Sequence, residues 1–394
     1  MKTIKAIASK SDAHRALICS ALCTDKCDVI MNTTSDDIIA TKRCIESIKC
    51  GKQEFLCGES GSTLRFMIPI VAALGIEAHF YPEGRLPKRP LSPLYEELIL
   101  HGCTLSKQGE VPFIVKGKLT HGEFNIPGNV SSQFISGLLF ALPILEGDSK
   151  INIIGDLQSE DYIKMTISTL SKFGIVIKRL KTGYFIKGNQ KYISPGKYLV
   201  EGDWSNAAFP LVAGAFLEDG INVTNLNANS IQGDKRIVDL LKEAGADVKV
   251  SKDKVTVKPG KLKGIEVDAS MIPDMVPALS IMAVRAKGTT HIYNAGRLRI
   301  KESDRLKTVT EVIRTLGGDI EELEDGLIIR GTGCLKGGKV SSFNDHRIAM
   351  MTSIASLICE DKVIIDDADA VNKSYPDFYK DLEKLGLDKN IVRN

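Results

Sequence analysis

The feature that most restricts the fold of this chain is a repeated segment in which a helical pattern ends at a glycine and a short strand follows. Five glycines end these segments at intervals of 72, 71, 72 and 69 residues: Gly102, Gly174, Gly245, Gly317 and Gly386. Glycine at a helix end adopts the left-handed backbone conformation without steric cost. A weaker sixth copy lies at residues 41–50. The sequence therefore predicts six similar α/β units of about 70 residues each.

Short β-branched and aromatic runs separate the helical segments, and they predict strands at residues 151–154, 184–186 and 363–365. Six units in 394 residues exceed what one hydrophobic core usually holds, so we expect two domains of three units each. A polar stretch with a glycine at residues 229–233 interrupts the pattern, and we place the domain boundary there.

The composition excludes several classes of protein. The chain is 43% hydrophobic and 26% charged, which is typical of a globular protein with substantial cores. No apolar run approaches the ~20 residues of a membrane span, and the first residues lack a signal-type apolar core, so we expect a cytoplasmic protein. Nine cysteines without a C-x-x-C pair argue against a disulfide framework and against a zinc site. A net charge of +3 is too small to indicate nucleic-acid binding.

The most chemically loaded segment is residues 299–305, where three cations and two carboxylates lie at the start of a predicted helix. Ser303 or Asp304 is a suitable N-cap, and the free N–H groups of a helix start, flanked by Lys301 and Arg305, suit a phosphate or carboxylate. Glu302, held among these cations, could move a proton. The alternative interpretation is an ordinary capped helix with a salt-bridged surface turn.

Four further helix starts carry hydroxyl or basic residues in the same way, at residues 9–15, 58–65, 131–133 and 344–347. A stiff basic loop with Arg85, Lys88 and Arg89 lies between prolines. A capped helix or a solvated loop explains any one of these segments. Five such helix starts in a two-domain α/β chain favour a small polyanionic ligand gripped between the domains.

Taken in order, these segments resemble the 5-enolpyruvylshikimate-3-phosphate synthases over nearly the whole chain. The matching segments are residues 9–11 with Arg15, 58–65, 88–90, 131–133, 272–274, 299–305, 344–347 and 373–377. No single motif is specific, but the combination is. The resemblance implies two domains, each of three βαβαββ repeats around buried helices, an inside-out α/β barrel, facing one another across a cleft. On this basis the first domain spans residues 10–230 and the second combines residues 1–9 with 231–394.

The resemblance also implies a reaction, the transfer of the enolpyruvyl group of phosphoenolpyruvate to the 5-hydroxyl of shikimate 3-phosphate with release of phosphate. This step leads to chorismate and the aromatic amino acids and needs neither a cofactor nor a metal. The implied shikimate 3-phosphate ligands are Ser11, Arg15, Ser131, Ser132, Ser159, Tyr162, Asp274 and Lys301. The implied phosphoenolpyruvate ligands are Lys10, Gly61, Arg89, Gln133, Arg305, Arg347 and Lys373, with Arg85 as a further candidate.

Three of these positions are implied to be catalytic. Asp274 is the expected base for the 5-hydroxyl. Glu302 is the expected acid that protonates the enolpyruvyl methylene and later removes a proton as phosphate leaves, while Lys10 stabilises charge on the departing phosphate. The resemblance further implies inhibition by glyphosate, because Gly61 has no Cβ and leaves backbone N–H groups open to close approach.

Two alternative functions fit part of the sequence. The UDP-N-acetylglucosamine enolpyruvyl transferases share the fold and phosphoenolpyruvate, but they carry Lys-Asn where this chain has Lys10-Ser11. They also carry a cysteine in the loop that matches residues 85–90, which has none here. A non-catalytic anion-binding repeat protein would need the cations but neither Asp274 nor Glu302.

The expected partners are the two small-molecule substrates alone, bound by a monomer that contacts neither nucleic acid nor membrane. The chain departs from the common family pattern at Glu59, Phe66, Arg297 and Leu298. Only nine residues precede Lys10, so the first strand of the second domain is expected to be short.

Overall fold

A computed structural model describes residues 1–394, which form two compact units. The C-terminal unit combines Met1–Ser9 with Glu201–Asn394, and the N-terminal unit spans Lys10–Val200. No helix in the chain is both long and apolar enough to cross a membrane.

The helices and strands are numbered here in chain order. The helices are α1 (Lys10–Leu22), α2 (Asp36–Lys49), α3 (Gly61–Leu74), α4 (Leu94–Leu100), α5 (Ser132–Ala141), α6 (Glu160–Lys172), α7 (Trp204–Gly214), α8 (Ile237–Glu243), α9 (Val276–Arg285), α10 (Arg305–Thr315), α11 (His346–Ala355) and α12 (Phe378–Lys384). The strands are β1 (Lys2–Lys5), β2 (Asp28–Ile30), β3 (Glu54–Gly58), β4 (Ala78–Pro82), β5 (Cys103–Leu105), β6 (Phe113–Gly117), β7 (Glu123–Pro127), β8 (Ser149–Ile154), β9 (Ile177–Leu180), β10 (Gly183–Ile186), β11 (Lys197–Leu199), β12 (Ile221–Thr224), β13 (Asp247–Val250), β14 (Lys254–Lys258), β15 (Glu266–Asp268), β16 (Thr289–Tyr293), β17 (Asp319–Leu323), β18 (Gly326–Arg330), β19 (Gly338–Ser341), β20 (Val363–Asp366) and β21 (Ile391–Arg393).

Four of the six repeats have the same four-stranded sheet and the βαβαββ order that the resemblance implied. In one of them β3 pairs with β4 in parallel, and β6 pairs antiparallel with both β4 and β5. The sheets β7-β8-β10-β9, β1-β12-β14-β13 and β15-β16-β18-β17 repeat this arrangement. Each unit therefore contains two complete repeats.

The remaining repeat in each unit lacks the terminal hairpin. In the N-terminal unit β11 and β2 form a two-stranded parallel sheet, because α2 ends at Lys49 and the next repeat begins at Glu54, which leaves no room for two further strands. In the C-terminal unit β19, β20 and β21 are all parallel, since the chain after α12 adds one strand beside β20. The expectation of three full βαβαββ repeats per domain is corrected to two full repeats and one shortened repeat.

The glycines that define the repeat period follow helices α4, α6, α8, α10 and α12, and each has the left-handed conformation that the sequence predicts. Their φ angles lie between +59° and +103°. The weaker sixth copy corresponds to α2, which Gly51 follows with a φ of +62°. The glycines that recur about every 70 residues therefore mark the ends of equivalent helices.

In three of the four complete repeats one helix is almost wholly buried, and the less buried residue near its start is polar. In α3, α5 and α7 these residues are Ser62, Gln133 and Ser205, while nearly every other residue is buried. The strands instead alternate between buried and more exposed residues, as in β3 and β4. Because the rest of each of these helices is apolar and lies in the core, its polar start is the part that can face a ligand.

Residues 201–230, which the sequence analysis placed in the first domain, belong to the C-terminal unit. Helix α7 lies in the core of that unit, and β12 pairs in parallel with β1. The polar stretch at residues 229–233 is not a linker. The Gln232 amide is buried, donating to Glu201 Oε1 and the Gly202 carbonyl at 2.8 Å each and accepting from Ser9 Oγ at 3.2 Å. These contacts join Ser9 and Glu201, the residues at which the chain leaves and re-enters the C-terminal unit.

Candidate active site

In the C-terminal unit, Arg305 begins α10 and lies among three carboxylates with a side chain only 1% exposed. Its Nε and Nη2 atoms donate to the two oxygens of Asp345 at 2.8 and 3.1 Å. Nη2 also donates to Glu302 at 2.7 Å, and Nη1 donates to Asp274 at 2.9 Å. Although burial opposes the charged form, the carboxylates of Asp345, Glu302 and Asp274 raise the pKa of Arg305. Arg305 is therefore a fixed positive charge.

Asp274 is the point at which three cations converge. Besides Arg305, Lys301 Nζ lies 3.3 Å from Asp274 Oδ1, and Arg347 Nη2 lies 3.5 Å from Asp274 Oδ2. Burial alone would raise the pKa of Asp274, but Lys301, Arg347 and Arg305 hold it well below its ordinary value. Asp274 is therefore an ionised carboxylate.

Helix starts bring these groups together. Asp304 caps α10 by accepting from the Lys307 N–H at 3.2 Å, as the sequence predicts for Ser303 or Asp304. Asp345 caps α11 by accepting from the Arg347 N–H at 2.9 Å, and it also accepts from Arg305 and from Ser303 Oγ at 2.9 Å. One carboxylate thus serves two helix starts at once.

Arg347 has a further partner in the same unit. Arg347 Nη2 donates to Ser205 Oγ, at the start of α7, at 2.7 Å. The nearby Asp234 is buried, and burial together with the charge of Asp274 raises its pKa to about 6 despite Arg347. Lys373 Nζ donates to the Asn344 carbonyl at 2.8 Å, just before α11.

In the N-terminal unit, Gly61 lies at the first residue of α3 against two arginines. A Cβ on Gly61 would lie 2.6 Å from Arg65 Nη1 and 2.9 Å from Arg89 Nη1. Arg65 Nη1 donates to Gln133 Oε1 at 3.1 Å, and Gln133 Nε2 donates to Ser62 Oγ at 2.9 Å. The predicted residues Gly61, Arg89 and Gln133 therefore lie together with two guanidinium groups and a helix start, an arrangement suited to a carboxylate or phosphate.

Lys10 forms the first residue of α1 and pairs with the first turn of α2. Its Nζ lies 2.7 Å from Asp37 Oδ2, with both side chains largely buried. This ion pair joins two helix starts of the N-terminal unit.

Arg15 forms a further cluster with α6. Its Nε donates to Thr166 Oγ1 at 2.9 Å, and its two Nη atoms donate to the Ser11 and Tyr162 carbonyls at 2.5 and 2.8 Å. Burial lowers the pKa of Arg15 to about 10, so the side chain remains charged at neutral pH. The structure thus brings together Ser11, Arg15 and Tyr162, three residues that the resemblance implies bind shikimate 3-phosphate.

The remaining predicted serines lie at helix starts. Ser131 caps α5, accepting from the Gln133 N–H at 3.3 Å, and Ser132 is the first residue of that helix. Ser159 precedes α6 with a φ of +54°, a left-handed conformation that is uncommon outside glycine. Arg85, by contrast, is exposed before the short 3-10 turn Leu86–Lys88.

Residues of these clusters that were not assigned a role from the sequence include Asp37, Arg65, Thr166, Ser205, Asp234 and Asp345. Arg65 and Asp345 lie within the segments 58–65 and 344–347 that carry the resemblance. Arg65 follows Gly61 by four residues in one helix, so the sequence could have predicted that the two lie on the same face. Asp37, Ser205 and Asp234 carry no local signal, because each contacts a residue far away in the sequence.

Comparison with known proteins gives a consistent result. The family model described as "EPSP synthase (3-phosphoshikimate 1-carboxyvinyltransferase)" matches residues 33–382. Relatives named 3-phosphoshikimate 1-carboxyvinyltransferase include those of Clostridium novyi, 45% identical over 96% of this chain and 93% of the relative, and Clostridium acetobutylicum, 46% identical over 98% and 95%. A solved EPSP synthase structure from Acinetobacter baumannii has a TM-score of 0.79 at 24% identity, over 98% of this chain and 95% of that one. The predicted fold class is confirmed.

Proposed function

Because the chain belongs to the EPSP synthase family, we propose that it transfers the enolpyruvyl group of phosphoenolpyruvate to the 5-hydroxyl of shikimate 3-phosphate. Phosphate is the second product, and the reaction serves aromatic amino acid biosynthesis. The observation that carries the proposal is the convergence of Lys301, Arg305 and Arg347 on Asp274 beside Glu302. An anion-binding protein without a reaction would need these cations but not a carboxylate base and acid among them.

The cations in this cluster are already paired with carboxylates, so substrate anions would compete for them. Two substrates bring two phosphates and two carboxylates, and forked arginines suit planar carboxylates. When Arg347 and Lys301 turn to substrate oxygens, less positive charge faces Asp274. Its pKa then rises from far below the ordinary value, which makes it a better base for the 5-hydroxyl.

The proposed reaction has two steps. In the addition, the 5-hydroxyl oxygen bonds to C2 of phosphoenolpyruvate as Asp274 takes the hydroxyl proton and Glu302 protonates the methylene carbon. In the elimination, Glu302 removes a proton from the new methyl group, the C–O bond to phosphate breaks, and the proton on Asp274 leaves with the phosphate. Lys10 stabilises negative charge on the departing phosphate.

The N-terminal unit supplies the remaining binding groups in this proposal. Arg89, Gln133 and Gly61 serve phosphoenolpyruvate, and Arg65 joins them because its guanidinium reaches both Gln133 and the Gly61 position. Shikimate 3-phosphate is assigned to the Arg15 cluster and to the serines at the starts of α5 and α6: Ser11, Arg15, Ser131, Ser132, Ser159 and Tyr162.

The test is release of phosphate from phosphoenolpyruvate with shikimate 3-phosphate, shikimate or UDP-N-acetylglucosamine as acceptor, and mass spectrometry of the product. Only shikimate 3-phosphate should support turnover. Arg347→Lys should lower kcat/KM strongly, since lysine lacks the planar guanidinium that pairs with a substrate carboxylate through two N–H groups, whereas the matched surface variant Arg330→Lys should leave it unchanged. Turnover with UDP-N-acetylglucosamine alone, or with no acceptor at all, would overturn the proposal.

A further inference from the structure

A chain of hydrogen bonds crosses the interior of the N-terminal unit beside the Gly61 position. His14 Nδ1 lies 2.7 Å from Thr41 Oγ1, Thr41 Oγ1 lies 2.7 Å from Thr63 Oγ1, and Thr63 Oγ1 lies 2.7 Å from Ser60 Oγ. All four side chains are at most 1% exposed. We call these residues the buried hydroxyl chain. It joins α1, α2 and α3 with its N-cap.

The buried hydroxyl chain reaches two helix starts that carry groups assigned to phosphoenolpyruvate. Ser60 is the N-cap of α3, and its Oγ accepts from the Thr63 N–H at 3.3 Å, so it sets the turn that presents Gly61. Thr63 Oγ1 also lies 3.4 Å from the carbonyl of Asp37, the carboxylate partner of Lys10. A shift of Thr63 would therefore disturb both helix starts.

The hydrogen-bond direction follows from the other ring nitrogen. His14 Nε2 is buried with no hydrogen-bond partner, and buried N–H groups without an acceptor are rarer in proteins than acceptors without a donor. The favourable tautomer carries its proton on Nδ1, which donates to Thr41; Thr41 then donates to Thr63, and Thr63 donates to Ser60. In the opposite direction the ring proton lies on Nε2, where it has no acceptor and is fixed by the ring. In the favoured direction the last hydrogen of the chain is on the Ser60 hydroxyl, which can rotate toward an acceptor.

The surroundings keep the His14 ring neutral, as this direction requires. Burial lowers the pKa of His14 to about 3; the charge of Asp37 opposes this shift, and those of Lys10 and Arg15 reinforce it. The ring is perpendicular to that of Phe66, with ring centroids 6.5 Å apart.

We propose that His14, Thr41 and Thr63 are positioning residues that set the Gly61 turn for phosphoenolpyruvate. The inference rests on the proposed function for the identity of the ligand. These side chains do not touch the substrate but act through Ser60, Gly61 and the Lys10–Asp37 pair. The hydrogen bonds of the buried hydroxyl chain do not include the Arg15 cluster. Substitutions in the chain should therefore weaken the binding of phosphoenolpyruvate and leave the binding of shikimate 3-phosphate unchanged.

The kinetic test compares Thr41→Val, which removes the hydroxyl and keeps the shape, with Thr41→Ser, which keeps the hydroxyl. The matched control is Thr169→Val, a threonine that is 2% exposed and hydrogen-bonds only to the Met165 carbonyl in its own helix and to the Tyr198 hydroxyl. Thr41→Val should raise KM for phosphoenolpyruvate by about five- to tenfold, the effect of one hydrogen bond, and leave KM for shikimate 3-phosphate within about twofold. Thr41→Ser and Thr169→Val should resemble the wild type.

A second measurement uses the wild-type protein and needs no activity. Nitrogen-15 NMR of histidine-labelled protein, with the His14 signal assigned by its loss in His14→Gln, should show a neutral ring protonated on Nδ1 from pH 5 to 8. Protonation on Nε2 would overturn the hydrogen-bond direction. Equal changes in both KM values, or none in Thr41→Val, would overturn the positioning role. An inactive wild type would instead refute the proposed function, while the NMR result would still test the buried hydroxyl chain.

Discussion

The substitution Gly61→Ala would place one methyl group where the guanidinium groups of Arg65 and Arg89 meet. Gly61 does not have a positive φ, so the backbone accepts alanine, and the first turn of α3 gains a better helix former. The folded state should therefore keep its stability. The cost of the methyl group falls on the two arginines and on what they bind.

The size of the effect follows from two distances. The new Cβ would lie 2.6 Å from Arg65 Nη1 and 2.9 Å from Arg89 Nη1, whereas ordinary contact begins at 3.4 Å, so the groups must retreat by about 0.8 and 0.5 Å. Such a retreat can break the 3.1 Å hydrogen bond from Arg65 to Gln133. Overpacking of this kind costs about 1–3 kcal/mol, which corresponds to an increase of about five- to 150-fold in KM for phosphoenolpyruvate.

The assay measures KM for phosphoenolpyruvate, the inhibition constant of glyphosate and the melting temperature in parallel. We expect glyphosate to lose more affinity than the shorter substrate, with melting unchanged or slightly raised. In an Arg89→Ala background the added methyl group should cost less, because one of its two clashes is gone. Equal weakening of substrate and inhibitor, or a penalty that Arg89→Ala leaves unchanged, would refute the reasoning and reduce Gly61 to a turn residue.

Three further outcomes are expected. Glu302→Gln should lower kcat by about 10²–10⁴-fold with little change in KM, since the amide cannot cycle a proton; turnover within a few-fold of wild type would make Glu302 only a structural partner of Arg305. Asp345→Asn should destabilise the fold by about 3–5 kcal/mol in urea unfolding, because it leaves buried Arg305 poorly compensated, whereas the surface change Asp319→Asn should cost almost nothing. The free energy of unfolding should fall as the pH drops from 6.5 toward 3, by about 1.4 kcal/mol per pH unit from His14, because the folded state holds its pKa at about 3 while the unfolded chain protonates near 6.5. His14→Phe should remove this contribution, and an unchanged slope would contradict it.

The features of the fold that could be predicted from the sequence are those determined by residues close together in the chain. A helix that ends in the left-handed conformation needs glycine at that residue, so the repeat period could be read from glycine spacing alone. The missing hairpins could not be read in this way. Whether the chain after a helix turns back or continues to the next repeat depends on which sheet edge is open. The same reason applies to Ser230 and Gln232 in the polar stretch, because their partners Glu201 and Ser9 lie far away in the sequence.

The candidate site follows the same division. Caps such as Asp304 and Ser131 could be predicted because they bond within three residues. The roles of Asp37 and Ser205 could not, because their partners Lys10 and Arg347 lie 27 and 142 residues away. Periodicity can show that a helix start carries a charge, but it cannot show which carboxylate balances that charge.

The parallel pairing of β1 with β12 has a consequence for synthesis on the ribosome. Lys2 pairs with Ile221, so the first strand emerges more than 200 residues before its partner exists. The N-terminal unit, whose strands all lie between Lys10 and Val200, can complete its sheets during this interval. Strand β1 must wait as an unpaired edge that other chains could capture. Strand β1 is short, with one buried isoleucine and a lysine at each end, and these features make it a poor template for pairing with other chains. Its own sequence therefore disfavours aggregation before β12 has been synthesised.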